Sequence, residues 1–269
     1  MKNSRDTTNI TKFISWMISL LFVLIILCNL YILVRRIIES SSIESEIKDI
    51  NDAIFLAPEP QISETTVSPK EPTSDYFSYV KIPCESIDIK KLKAINGDTV
   101  GFLSISGTDI NYPIVQTTDN KFYLKHSFKK KLNSSGWLFM DYRNNAESLG
   151  RNSIIYGHNN HDKTMLAGLK EALNEEWLKN QNNGKITFVN LNGITNWKII
   201  SVYTIPAESY YIKTDFKSDE NFANWLREIS ARSIYDFKYK ISSGDKIMTF
   251  STCYKDEGNI RLVVHAKKV

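Results

Sequence analysis

Cysteine is scarce in this chain of 269 residues, which has three, at positions 28, 84 and 253. So few, set so far apart, they exclude a disulfide framework and a CxxC metal site. No block of one charge sign stands out either, because 34 basic residues face 30 acidic ones for a net charge of +4. That balance sets nucleic acid aside as a partner. GxGxxG, Walker and HExxH patterns are missing, as are internal repeats, so nothing points to a dinucleotide, a nucleoside triphosphate or a zinc-hydrolase helix. With four histidines in all, any general base comes from a short roster.

Cys28 lies within an apolar run, which leaves Cys84 and Cys253 as the one pair able to join inside a folded domain. A bridge between them and a lone reactive thiol are both open at this stage. The densest basic patch, Lys125, His126, Lys129, Lys130 and Lys131, reads as a solvated loop, with contact to an anionic surface polymer as the other reading.

Long apolar stretches are absent except for one. From Phe13 to Val34 the chain reads FISWMISLLFVLIILCNLYILV, 22 residues without a charge. As a helix it spans about 30 Å of hydrocarbon. Arg35 and Arg36 follow it where a signal peptide would have a small-residue cleavage site, so an uncleaved anchor is expected. Lys2, Arg5 and Lys12 precede it, and the two flanks are too alike for charge to set the orientation. Ile43, Ile47, Ile50 and Ile54 then recur at helical spacing among charged residues, marking an amphipathic helix that either packs on the domain or stands as a stalk. Residues 57–75, APEPQISETTVSPKEPTSD, hold four of the seven prolines and read as an extended linker. The organisation is therefore a tail over 1–12, an anchor over 13–34, a helical stalk and Pro-rich linker over 35–75, and a folded domain over 76–269.

The domain reads as mainly β. Eight short runs separated by turn residues have strand character: TVGFLSI, DINYPIVQ, SGWLFMD, NSIIYG, GKITFVN, NWKIISVYTI, DKIMTFSTC and NIRLVVHA. They predict a barrel or sandwich. Helical spacing interrupts them over Met165–Leu178 and Asn221–Ile234, where Phe222, Trp225, Leu226 and Ile229 share a face. Trp137, Trp177 and Trp225 are expected in the core.

Cys253 ends one strand-like run and Arg261 opens the next, across YKDEGN. A nucleophilic thiol needs a base and needs donors where negative charge builds on the attacked carbonyl. Arg261 offers fixed donors, and His158, at the end of NSIIYG, is the candidate base. A buried thiol and a surface arginine would fit the same spacing. His158 and His161 have a spacing compatible with a metal, but no cysteine or carboxylate cluster completes a site, and neither metal nor cofactor is expected.

TFSTC followed by Arg261, with YGHNN upstream, resembles the sortases, cysteine transpeptidases of Gram-positive cell surfaces. DINYPIVQTTDNKFYLKHSF, GWLFMDYRN, NSIIYGHNNHDKTMLAGL and ARSIYDF are similar to the class B branch, from about Thr99 to the end of the chain. Phe250 stands where leucine is usual in the TLxTC form. The resemblance implies an eight-stranded sortase-type barrel with peripheral helices, one of them inserted between two late strands over residues 221–236. It implies Cys253 as nucleophile, His158 as general acid and base, and Arg261 as oxyanion and positioning residue. By the same resemblance Asn120, Leu124, Tyr211 and Ile212 line the peptide groove, while Ser251 and Thr252 flank the nucleophile as donors or as ordinary strand residues. The implied substrates are surface proteins with a C-terminal, Asn-Pro-x-Thr-like sorting signal, and the implied acceptor is an amine of a cell-wall precursor or pilin-like protein. The N-terminus would be cytoplasmic and the domain extracellular. Sequence does not weigh amine against water as acceptor.

Overall fold

The computed structural model of the chain describes residues 3–55, 84–253 and 259–269. The Pro-rich linker, the expected start of the domain near Tyr76 and most of the YKDEGN turn lie outside these residues. The chain divides into two compact units, one ending at Ser45 and one running Glu46–Val269.

Helix α1, Asn3–Phe55, is continuous. Its portion Lys12–Ile54 is long and apolar enough to cross a membrane, and its large side chains between Phe13 and Val34 are exposed, as a lipid-facing surface requires. From Glu46 onward the helix packs within the second unit, with Ile47, Ile50 and Ile54 buried. Helix α2, Ile89–Ile95, follows, capped by Asp88, whose side chain accepts from the Lys90 and Lys91 amides. This short element was not anticipated, because seven residues carry too few turns for a periodicity to show.

The eight strands are β1 Thr99–Ile105, β2 Asn111–Val115, β3 Phe139–Met140, β4 Asn152–Tyr156, β5 Lys185–Asn190, β6 Gly193–Pro206, β7 Ile247–Cys253 and β8 Ile260–Lys268. Each arises from one of the eight runs. They close into a barrel in the order β1-β2-β3-β4-β7-β8-β6-β5. Two neighbouring pairs are parallel, β2 with β3 and β4 with β7. At the β1 bulge between Thr99 and Gly101, a Cβ on Gly101 would lie 2.4 Å from Phe188 Cζ. Only glycine lets the two strands approach so closely there.

Side chains of β7 alternate between two environments. Met248 and Phe250 are wholly buried and point to the barrel interior, whereas Ile247, Thr249 and Ser251 face the outside under the β6–β7 connection. That cover is helix α4, Asp219–Ala231, with Ser218 as N-cap and Asp219 and Glu220 in the first turn, where acidic side chains suit the helix dipole. Phe222, Trp225, Leu226 and Ile229 of α4 cluster with Ile200 and Ile247. The helix foreseen between two late strands is therefore present.

Two expectations need correction. The stretch Met165–Leu178 is not one helix. A 3-10 helix, Ala167–Leu173, gives way to α3, Glu175–Lys179, because the Asn174 side chain caps the amides of Glu176 and Trp177 and starts a new helix there. Trp177 is only half-buried, its indole donating to the Gly107 carbonyl at 3.0 Å. Trp137 and Trp225 are buried.

Candidate active site

Strands β4 and β7 run side by side in parallel with Tyr156 opposite Ser251. His158 follows β4 two residues beyond Tyr156, at the end of the barrel where β7 reaches Cys253. On the other flank β8 is antiparallel to β7, and Cys253 pairs directly with Arg261. Opposed residues of such a ladder share a face, their Cβ atoms about 5 Å apart. All three residues are half-buried, whereas Thr252 and Leu262 beside them are buried. The strand ends thus bring a thiol, an imidazole and a guanidinium to one end of the barrel. The start of β8 is held there by the Ala207 amide, which donates to the Asn259 carbonyl at 3.0 Å.

The His158 ring is oriented by backbone. Its Nε2 lies 2.9 Å from the Leu124 carbonyl oxygen, and a carbonyl only accepts, so Nε2 carries a proton and, in the neutral ring, Nδ1 has the lone pair. Leu124 is 36% exposed and meets the histidine through its main chain. Space for the ring comes from Gly136, at φ +60, where a Cβ would lie 2.8 Å from His158 Cδ2 and 2.6 Å from the Tyr123 carbonyl oxygen. The Leu166 amide donates to the His158 carbonyl at 2.9 Å, tying down the chain beyond β4.

Behind Cys253 lies a polar wall. The Tyr211 hydroxyl is 3.2 Å from Ser251 Oγ. Burial pushes that phenol up, while the Ser251 contact and the Arg261 charge pull it down. Thr252 Oγ1 is buried and has no hydrogen-bond partner among the described residues. Deeper, a chain of bonds fixes the β6–β7 connection. The Thr249 hydroxyl donates to Asn152 Oδ1 at 2.6 Å and accepts from His265 Nδ1 at 2.8 Å, leaving His265 Nε2 to accept from the Tyr203 hydroxyl at 2.8 Å. Asn152 Nδ2 donates to the carbonyls of Tyr211 and Lys213 at 3.3 and 2.9 Å.

Asn120 and Ile212 join through a hub that sequence reasoning missed. Asp141 is wholly buried, and its Oδ2 accepts from Asn120 Nδ2 at 2.9 Å, the Tyr156 hydroxyl at 2.8 Å and an Arg143 terminal nitrogen at 2.7 Å. Arg143 Nε donates to Asp141 Oδ1 at 2.8 Å, and its terminal nitrogen also reaches the Ile212 carbonyl at 2.9 Å. Burial raises the Asp141 carboxyl, but the donors outweigh it and hold the group below its ordinary value. The legible sign was an aspartate closing the apolar run GWLFM with an arginine two residues on.

None of the three cysteines is in a disulfide, so the Cys84–Cys253 bridge is not formed. Among the described residues no group of three or more His, Cys, Asp or Glu is placed to hold a metal ion. Within the basic patch, Lys129 pairs with Asp49 and Lys130 with Asp98, while His126 stacks on Phe122 at 3.9 Å.

The sortase domain family matches residues 103–269. Sortase B of Listeria monocytogenes is 38% identical over 186 residues, covering 68% of this chain and 74% of the relative. A Bacillus anthracis protein described as similar to sortase B superposes with a TM-score of 0.62 at 40% identity, over 67% of this chain and 82% of its own. A Staphylococcus aureus sortase B–substrate complex gives 0.63 at 34% identity, over 67% and 84%. With its barrel, its strand-end cysteine and these relatives, the chain belongs to the sortase family of cysteine transpeptidases, in the class B branch.

Proposed function

We propose that Cys253, His158 and Arg261 carry out the transpeptidation, on proteins bearing an Asn-Pro-x-Thr-like C-terminal sorting signal. The observation that supports this best is the direct Cys253–Arg261 pairing across β7 and β8, beside the end of β4 from which His158 emerges. The Cys253 thiol gives its proton to His158 Nδ1, and Sγ bonds to the threonine carbonyl carbon. Arg261 donates to the oxyanion that forms, a place where fixed donors act most strongly. The C–N bond then breaks, and His158 returns the proton to the departing amine, leaving a thioester. An amine from a cell-wall precursor or pilin-like acceptor attacks that thioester, His158 takes its proton, and Cys253 leaves as thiolate. Its product is a surface protein joined through a new amide.

Asn120, Leu124, Tyr211 and Ile212 flank the peptide groove in this reading, with Ser251 buttressing Tyr211 and the Thr252 backbone lining the floor beside Cys253. The α1 helix spans the cell membrane once, N-terminus in the cytoplasm and barrel outside, where sorting signals and wall precursors meet.

The test is the full chain in detergent with an Asn-Pro-x-Thr peptide, with and without a primary-amine acceptor. A thioester trapped on Cys253 by mass spectrometry and an amine-dependent ligated product are expected, and Cys253→Ala should lose both. Arg261→Lys keeps the charge but loses the planar fork, so turnover should fall roughly 100-fold. Hydrolysis that no amine changes would identify a peptidase using water instead. Retained cleavage in Cys253→Ala would remove the reading altogether.

A further inference from the structure

We propose that Glu46, on the helix that continues from the apolar run, is a positioning residue for His158, acting through the 125–133 hairpin that carries the Leu124 carbonyl in place. This rests on the reading of His158 as the acid and base of acyl transfer.

Glu46 is 3% exposed, and a buried carboxylate is tolerated only where donors meet it. Those donors come from one hairpin: Ser127 Oγ donates to Oε1 at 2.7 Å and the Lys129 amide to Oε2 at 3.1 Å. The hairpin closes on itself through a bridge between His126 and Leu132 and a Ser127 amide bond to the Lys131 carbonyl at 2.9 Å. At its base the Asn133 amide donates to the Lys125 carbonyl at 2.9 Å, one residue from Leu124. What Glu46 grips is therefore the same short unit that presents the Leu124 oxygen to His158 Nε2.

The link bears on chemistry because the Leu124 oxygen decides which ring nitrogen holds the proton. While Nε2–H is held, Nδ1 has the free lone pair and accepts from the thiol. If the carbonyl withdraws, the ring populates both tautomers and loses its fixed orientation. Other ties persist without Glu46, notably Asn96 Nδ2 to the Phe128 carbonyl at 2.7 Å, so the hairpin stays folded but less firmly placed. The exposed Lys129–Asp49 pair adds little.

The experiment uses the full chain in detergent micelles, labelled with nitrogen-15 in histidine, His158→Ala assigning the signals. Wild type should show the His158 ring as the Nε2–H tautomer. In Glu46→Ala and Ser127→Ala the ring nitrogens should move toward the tautomer average. Acylation kcat on the sorting-signal peptide should fall roughly 10-fold, part of what general acid–base catalysis supplies, with KM unchanged and the pH–rate profile displaced. Glu46→Gln, which keeps one acceptor, should recover part of the loss, and the double variant should be no worse than the single ones. Wild-type ring spectra and kcat in Ser127→Ala would overturn the proposal even if Glu46→Ala failed to fold. The ring spectrum needs no substrate, so a wild type inactive on peptide would refute the transfer reading and still leave this one decided.

Discussion

His265 shows how one buried side chain sets a pH dependence far from the chemistry. Burial alone holds it at about 3, below the ordinary histidine value near 6.5. Its ring faces the Trp225 ring at 5.6 Å and the Tyr203 hydroxyl. In that window the unfolded chain binds a proton that the folded chain refuses. Stability therefore falls as pH drops from about 6.5 toward 3, by roughly 1.4 kcal/mol per pH unit. Asp141 works lower down. Its carboxyl is held below the ordinary carboxylate value, so the stability it adds is present above about pH 4 and lost as pH falls through its folded value. Urea unfolding of wild type from pH 7 to 4 should show a declining midpoint, and His265→Gln should flatten it. An equal decline in the variant would place the proton uptake elsewhere.

Between elements, Arg143 is the clamp to test. It joins Asp141, just after β3, to the Ile212 carbonyl in the β6–β7 connection, so it ties the carboxylate that holds Asn120 to the segment that carries Tyr211. Arg143→Ala leaves a buried carboxylate with fewer donors. The side chain is 36% exposed, so the cost is smaller than for a fully buried pair, about 2 kcal/mol, measured as a loss in thermal or urea stability. With these segments as the walls of the proposed peptide groove, KM for peptide should rise more than kcat falls, since they move and the Cys253–Arg261 ladder does not. Elements like β7, β8 and α4 were legible because their periods are long enough to read, as with the shared face of Phe222, Trp225, Leu226 and Ile229. SGWLFMD yielded only the two-residue β3 because the Trp137 amide goes to the Tyr123 carbonyl, outside the sheet. Cys253, His158 and Arg261 were legible as strand-end residues of reactive type. The Leu124 carbonyl was not, since a backbone oxygen has no residue signature, and of the Asp141 hub only the aspartate and its nearby arginine showed, because Asn120, Tyr156 and Ile212 come from separate segments.

For the whole molecule, the division at Glu46 predicts what can be removed. The second unit, Glu46–Val269, contains the closed barrel, α4 and the end of α1, so a chain beginning at Glu46 should fold and ligate peptide without a membrane. A chain beginning at Ala57 loses Ile47, Ile50 and Ile54, all buried, together with the carboxylate that meets Ser127 and the Lys129 amide. Each isoleucine buries apolar surface worth about 2 kcal/mol, and ordering the helix offsets part of that. A net loss of about 3 kcal/mol corresponds to a melting temperature lower by roughly 10 °C for a domain of this size. The two truncated chains compared by calorimetry and by acylation rate separate membrane tethering from packing. If the helix end serves only as a tether, both melt alike and acylate at the same rate. If it is a structural part of the enzyme, the shorter chain melts lower and acylates more slowly, with the barrel's circular dichroism retained.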